Sequence, residues 1–174
     1  KHCFPEGKYG VPQLCKLMSC PSNAAFGAAM HMIAYMEQHK NKGILFSADG
    51  NVRPVIMSDA SNKPDPHSGL AQAGHTAHWA NGPVLSKTSQ LKHEGLSSEH
   101  NEYMGLTAAL RFAVWMRQLL GEIGCSAVIQ EPFDVYGDNV QANNLCKNHF
   151  VSTGNQNIYM PYHWNRRAVR EGYA

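Results

Sequence analysis

The chain has 174 residues, a formal net charge of +2, and 43% hydrophobic against 16% charged residues. Its length favours one domain with its own core, and its composition is typical of a soluble globular protein, which excludes a disordered chain. No apolar run approaches the ~20 residues that span a bilayer, so no membrane partner is expected, and the small net charge does not by itself indicate nucleic-acid binding.

The five cysteines are odd in number and contain no Cys-x-x-Cys pair. This spacing argues against a disulfide framework or a cysteine-based zinc site, and it favours free thiols in a reducing, intracellular compartment. The polar start of the chain lacks both an initiator Met and a signal-peptide pattern, so we expect a piece of a longer polypeptide.

Three segments are expected before the first strand. Residues 1–21 are rich in Pro and Gly, which predicts a loop or linker with at most a helical turn at 14–18. Ser22 or Asn23 can cap a helix that runs to about residue 39, followed by a short apolar segment at 43–46. Four methionines are predicted to fill the core: Met30, Met32, Met36 and Met116.

The next part of the chain has the pattern of strands. Residues 52–59 form a compact apolar run, and 70–79 and 83–88 flank Asn81-Gly82, a strong hairpin signal. We therefore predict a three-stranded meander. His75 and His78 are three apart on the second strand, which places them on opposite faces and favours surface histidines over a metal pair.

Residues 96–124 have the period of a long helix. One face carries Glu102, Leu106, Ala109, Ala113, Met116 and Leu120, and the opposite face carries Thr107, Arg111, Gln118 and Glu122. The first face is predicted to be buried. A carboxylate on a buried face is costly unless it is paired or bound to a metal, which makes Glu102 a candidate functional residue.

A second strand–helix pair follows. Residues 133–138 predict a short strand, and Asn139 can cap a helix through about residue 148. A long helix between two strands favours a right-handed crossover with parallel pairing. Asp59 and Asp138 would then emerge at the same sheet edge, where α/β sheets place ligands.

The last predicted helix covers residues 155–172, with an interruption at Pro161. Its basic-aromatic cluster consists of Trp164, Arg166, Arg167 and Arg170. These side chains suit phosphates and a stacked base, although a solvated helix end explains them equally well. Four further side chains can reach the minor groove of a nucleic-acid duplex: Asn139, Gln141, Asn143 and Asn144. Helix capping explains Asn139 at least as well.

Asp59, Glu102 and Asp138 together predict a metal site. Three carboxylates at one edge repel each other unless a hard cation lies between them, and oxygen ligands suit Mg²⁺ or Mn²⁺. Two such ions can activate water and stabilise the leaving oxygen in phosphodiester cleavage. Taken singly, the three acids are also explained as turn, first-turn and cap residues.

The motifs around these acids resemble the ribonuclease H domain of copia-type retrotransposon polyproteins, which follows the reverse transcriptase. The matching segments are Ser58-Asp59-Ala60, Ser68-Gly69, Ser97-Ser98 with Glu102-Tyr103 and Leu106, Asp138-Asn139 with Ala142, Leu145 and Asn148, Tyr162-His163, and Arg170-Glu171. Upstream, Ala34-Tyr35-Met36 and residues 43–46 resemble the end of the family's polymerase–nuclease linker. The resemblance covers residues 11 to 171.

The resemblance implies a ribonuclease H-like fold, a mixed sheet of order 3-2-1-4-5 flanked by helices. Residues 1–47 would be linker following the reverse transcriptase, and 48–174 the nuclease domain. The implied activity is hydrolysis of RNA in RNA–DNA hybrids with two Mg²⁺ or Mn²⁺ ions held by Asp59, Glu102 and Asp138. The reverse transcriptase would be a partner in the same polyprotein, in a cytoplasmic particle or the nucleus.

Several departures from the family pattern accompany the resemblance. The family's fifth strand and a fourth acid in a later helix would lie beyond Ala174, so we expect a C-terminally truncated domain. The family's Lys-His-Ile-Asp before Tyr-His is replaced by residues 156–159, and His163 is a weak candidate for a product-release histidine. An inactive nucleic-acid-binding or protein-docking module is the alternative, whereas an integrase or resolvase would need different acid spacing.

Overall fold

The computed structural model describes residues 5–47, 53–61, 65, 68–92, 97–147 and 159–174. The helices are α1 Gly7–Lys16, α2 Asn23–Gln38, α3 Ser98–Glu122, α4 Val140–Lys147 and α5 Tyr159–Arg170. The strands are β1 Val55–Ala60, β2 Gln72–Trp79, β3 Gly82–Gln90 and β4 Asp134–Gly137, with a short 3₁₀ helix at Ser126–Ile129.

The four described strands form one mixed sheet in the order β3-β2-β1-β4. Strand β1 pairs antiparallel with β2 and parallel with β4. Helices flank this sheet, so the predicted α/β, ribonuclease H-like arrangement is confirmed. The expected fifth strand stays a prediction, because it would follow Ala174.

The hairpin between β2 and β3 forms where Asn81-Gly82 predicts it. Ala80 and Asn81 both have positive φ angles, 51° and 64°. Two successive left-handed residues match the twist of the flanking strands, as in a type I′ turn. The apolar segment at 43–46 is not a strand; Leu45 is 82% and Phe46 54% exposed.

Helix α3 contributes more buried core residues than any other described element. Its N-cap is Ser97, whose Oγ accepts a hydrogen bond from the His100 N–H at 3.1 Å. The predicted apolar face is buried from Leu106 to Leu120 and packs on β1, β2 and Phe133. A helix of this length with one wide apolar stripe is stabilised mainly by that packing.

Thr107 corrects one prediction for α3. It was expected on the solvent face but is buried, and its Oγ1 donates to the Tyr103 carbonyl at 2.9 Å. The same Oγ1 accepts from Nδ2 of Asn165, which is fully buried on α5. Because α5 covers this side of α3, the helix is also buried at Thr107, away from its predicted apolar face.

Helix α1 corrects a second prediction, since residues 7–16 are helical where a loop was expected. Pro12 lies inside this helix, where it removes one backbone hydrogen bond. Helix α1 also packs against α2 at Gly10. A Cβ at this position would lie 2.1 Å from Cε of Met32 on α2. The glycine therefore lets the two helices approach closely.

Helix α2 begins and ends close to its predicted limits, with Ser22 as N-cap and its Oγ accepting from the Ala25 N–H at 3.1 Å. None of its residues is buried. The prediction that Met30 fills the core is wrong, because it is 49% exposed, whereas Met116 on α3 is buried as predicted. The period of an apolar stripe does not reveal whether a partner covers it.

The remaining elements agree with the predictions, with exceptions in α5 and at His75 and His78. Pro161 does not interrupt α5, because it lies in the first turn, where its missing N–H has no intrahelical partner. Residues 155–158 lie outside the described residues. His75 and His78, predicted as surface histidines, are both half-buried. Burial lowers the pKa of His75, whose ring centroid lies 5.9 Å from that of Phe112.

The four described cysteines are free thiols, as expected. None of the described helices combines the length and apolarity that crossing a bilayer requires.

Candidate metal centre

The parallel pair β1–β4 brings two of the predicted acids together. Ser58 of β1 is in register with Gly137 of β4. Asp59 follows Ser58 and is the second-last residue of β1, and Asp138 follows Gly137 directly after β4. The two aspartates therefore lie at corresponding positions of the two strands. Because the strands are parallel, both carboxylates lie at the carboxyl-terminal edge of the sheet.

The third acid, Glu102, comes from the second turn of α3. Its Oε2 accepts a hydrogen bond from the Ala60 N–H at 3.0 Å, which fixes the carboxylate against the end of β1. Gly105, one turn further on, makes this position possible. A Cβ on Gly105 would lie 3.3 Å from the Ala60 Cβ and 3.4 Å from the Ser58 Oγ, so any side chain there would push α3 away.

One carboxylate oxygen from each of Asp59, Glu102 and Asp138 lies within 4.8 Å of the others. Glu102 is half-buried, whereas the two aspartates are exposed and open to a substrate. The structure therefore brings together all three predicted ligands. Carboxylate oxygens at this spacing are the donors that Mg²⁺ and Mn²⁺ prefer, so the residues present fit a divalent cation.

Electrostatics at the centre also favour a cation. The pKa of Glu102 is raised to about 7, first by burial and then by the neighbouring charges of Asp138 and Asp59. The hydrogen bond from Ala60 lowers the same pKa, but does not offset those effects. Near neutral pH Glu102 is therefore partly protonated, and a bound cation would favour its carboxylate form.

Asn143 was predicted only as a side chain that can reach a minor groove, and sequence reasoning missed that it holds the turn that carries Asp138. Its Nδ2 donates to the Gly137 carbonyl at 2.7 Å, and a Cβ on Gly137 would lie 3.0 Å from the Asn143 Oδ1. A signal was available: a Gly directly before Asp138 and an Asn one turn into the following helix. Their contact depends on the turn itself, which the sequence pattern alone does not define.

Asn139 and Gln141 lie at the start of α4, beside the acids. The Asn139 Oδ1 accepts hydrogen bonds from the Gln141 N–H at 2.9 Å and the Ala142 N–H at 3.0 Å. Asn139 therefore caps α4, as one of its two explanations predicted. Gln141 is exposed, so its side chain is accessible to a ligand at this edge.

The basic-aromatic cluster of α5 is split by the fold. Trp164 is half-buried, packs against the apolar cluster around Tyr103 and Leu106, and lies 6.0 Å from the Arg111 guanidinium. Arg166, Arg167 and Arg170 instead line a cavity between α4 and α5. Nucleic-acid binding by all four stays a prediction.

Comparison with known proteins gives distant relatives. The chain is 24% and 25% identical, each over 168 residues, to the retrovirus-related Pol polyproteins from transposons RE2 and RE1 of Arabidopsis thaliana. Both alignments cover 97% of this chain but 11% of the polyprotein. It is also 27% identical over 112 residues to secreted RxLR effector protein 161 of Plasmopara viticola, covering 64% of this chain and 79% of that protein.

No family model and no solved structure matches the chain. The chain spans about a tenth of the length of the polyproteins it matches. The similarity to them nevertheless extends over almost the whole chain, which supports the predicted relationship to a copia-type retrotransposon polyprotein.

Proposed function

We propose that this chain hydrolyses the RNA strand of RNA–DNA hybrids, within a retroelement polyprotein that also carries a reverse transcriptase. The observation that carries the proposal is the convergence of Asp59, Glu102 and Asp138 from two parallel strands and a helix at one sheet edge. The relationship to retrotransposon polyproteins supports it, because such an element must remove RNA from the hybrid that reverse transcription produces. The reaction would take place inside the cell, in a cytoplasmic particle or the nucleus.

Asp59, Glu102 and Asp138 would hold two Mg²⁺ or Mn²⁺ ions. When bound, such ions activate the attacking water and stabilise the leaving 3′ oxygen of the phosphodiester. The chain's own contribution is positioning. Asp59 is held by the pairing of β1 with β2, Asp138 directly follows the paired end of β4, and Glu102 is held by the Ala60 N–H. Its raised pKa means that Glu102 has to lose its proton before it can hold a cation.

The hybrid would lie across the sheet edge, where Gln141 is exposed beside the acids. Proteins distinguish RNA from DNA through the 2′-hydroxyl groups, which line a wide, shallow minor groove in A-form helices. A short polar side chain at the start of α4 suits such a groove. This placement supports cleavage of the RNA strand in preference to the DNA strand.

The test is cleavage of a hybrid labelled separately on its RNA and DNA strands. We expect Mg²⁺- or Mn²⁺-dependent cleavage of the RNA strand, abolished by Asp59→Asn. Asp134→Asn is the matched control, because Asp134 lies at the other end of β4, in an ion pair with Arg53 at 2.8 Å. Lack of cleavage with either ion, both by this chain and by a version extended past Ala174, would overturn the proposal.

The second candidate is a ribonuclease H-like module that binds nucleic acid or protein without catalysis. It is favoured by the similarity to a Plasmopara viticola protein described as a secreted effector, most of whose length this chain covers. The same assay separates the two. An inactive module would bind the labelled hybrid with unchanged affinity after Asp59→Asn and would cleave neither strand.

A further inference from the structure

A cavity of about 500 Å³ lies between α4 and α5, apart from the three acids. Its polar lining consists of Lys147, His163, Arg166, Arg167 and Arg170. Among the described residues that line it there is no acidic side chain. The volume is in the range of ordinary ligand sites, and the charge of the walls selects an anion.

The helical period of α5 makes these side chains share one face. At ~100° per residue, positions 163, 166, 167 and 170 fall within about 100° of arc. Asn165 and Ala168 are buried on the other side, against α3 and the core. The basic stripe is therefore held in place by the packing of α5, and Lys147 faces it from α4.

Three of these basic side chains, Lys147, Arg167 and Arg170, leave positive charge on the wall of the cavity. Arg167 lies 3.6 Å from Glu171, an ion pair between exposed side chains that is worth little in water. Lys147 and Arg170 form no ion pair with any residue in the described ranges. Positive charge collected in one concave site raises the local concentration of anions there.

We propose that the cavity binds backbone phosphates of the nucleic-acid strand that crosses the acidic site. Arg and Lys are the side chains suited to phosphate, Arg as a bidentate fork and Lys as a point charge. Helix α4 connects the two places: Asp138 precedes it by two residues and Lys147 ends it. Eight residues at 1.5 Å span ~12 Å, or roughly three to four nucleotides of ~3.4 Å.

This inference rests on the proposed function for the identity of the strand, and it adds a contact several nucleotides from the cut. It also changes the set of residues that are expected to contact the nucleic acid. Lys147 and His163 join the three arginines, whereas Trp164 lies against the core and outside the cavity.

The experiment measures binding of a fluorescein-labelled hybrid by anisotropy at several salt concentrations, in the Asp59→Asn background so that the ligand stays intact. The test variant adds Lys147→Ala and Arg170→Ala. Its control adds Lys40→Ala and Lys42→Ala, which removes the same charge from the segment that follows α2. Both Lys147 and Arg170 are exposed, and the circular dichroism spectrum and Tm of each variant verify folding.

We expect the test variant to bind at least about tenfold more weakly near 0.1 M salt. The slope of log K against log salt should fall by about 1.8, which corresponds to two phosphate contacts. The control should keep the slope of its parent. Equal slopes and affinities for test variant and control would overturn the proposal.

Inorganic phosphate distinguishes the source of the anion. One outcome is that millimolar phosphate raises the Tm of the parent but not of the test variant, while the slope of log K against log salt for hybrid binding is the same in both. In that case the cavity is a small-anion site and the proposal is wrong. The proposed function fails separately: a wild-type chain that binds hybrid through the cavity but cleaves nothing would contradict hydrolysis alone.

Discussion

Removing the charge of Glu102 should change how the stability of the metal-free protein depends on pH. Its pKa is raised from 4.5 to about 7, chiefly by burial and then by Asp138 and Asp59. Between these values the folded protein binds more protons at this site than the unfolded chain does. Stability therefore falls as pH rises from 4.5 through 7, and the loss is complete above pH 7.

The magnitude follows from the two pKa values. A change from 4.5 to about 7 corresponds to about 3.4 kcal/mol, at about 1.36 kcal/mol per pH unit. Because the carboxylate is only half-buried, solvent screens its interactions, and we expect about 1–2 kcal/mol of this in the free energy of unfolding. For a chain of this size that equals about 2–8 °C in Tm.

Urea unfolding in EDTA at pH 5 and pH 8 measures the effect in wild type, Glu102→Gln and the control Glu122→Gln, an exposed residue of the same helix. From pH 5 to pH 8 the free energy of unfolding of wild type and of the control should fall by about 1–2 kcal/mol more than that of Glu102→Gln. Adding Mg²⁺ at ten times its Kd should restore about 1.4 kcal/mol at pH 8 and less at pH 5. Identical pH dependence in Glu102→Gln and wild type would refute the reasoning.

Three further substitutions test the elements that position the acids. Gly105→Val should lower the free energy of unfolding by about 1–3 kcal/mol, because its Cβ would lie 3.3 Å from a side chain of β1. Gly27→Val is the control: its Cβ would have nothing within 4 Å, so the free energy of unfolding, measured with urea, should change by no more than about 0.5 kcal/mol. Asn143→Ala removes a 2.7 Å hydrogen bond beside Asp138 and should lower kcat about tenfold with little change in KM. The control Asn144→Ala should keep the kcat of wild type, and equal kcat values for the two variants would contradict this role of Asn143. Ser97→Ala removes the N-cap of α3 and should lower stability by about 1 kcal/mol; an unchanged urea midpoint would show that the cap contributes nothing.

Local signals in the sequence predicted much of the fold. Ser22 and Asn139 are N-caps as expected, because capping depends on neighbours within three residues. Asn81-Gly82 predicted its hairpin for the same reason. The acids were predicted to meet because parallel pairing and a crossover helix constrain where the ends of β1 and β4 can lie.

Features that depend on distant contacts were missed. Helix α1 forms despite Pro12 because Gly10 packs against Met32, and Thr107 is buried because α5 covers it. The exposure of Met30 reflects an apolar face that no described element covers. None of these contacts leaves a short-range pattern.

The cavity between α4 and α5 was missed for a related reason. The arginines of α5 were visible as a cluster, and Lys147 was not connected to them by spacing. Only the packing of α4 against α5 places Lys147 opposite the basic stripe. The same packing turns Trp164 inward, away from the arginines with which it shares a helix.

Calorimetric titration with Mn²⁺ at pH 7.5 tests most directly whether Asp59, Glu102 and Asp138 form a divalent-cation centre. We expect saturable binding to the wild-type chain, lost in Asp138→Asn and retained in the control Asp134→Asn at the other end of β4. Equal Mn²⁺ binding by wild type and Asp138→Asn would contradict the assignment of the metal centre and the hydrolysis that depends on it.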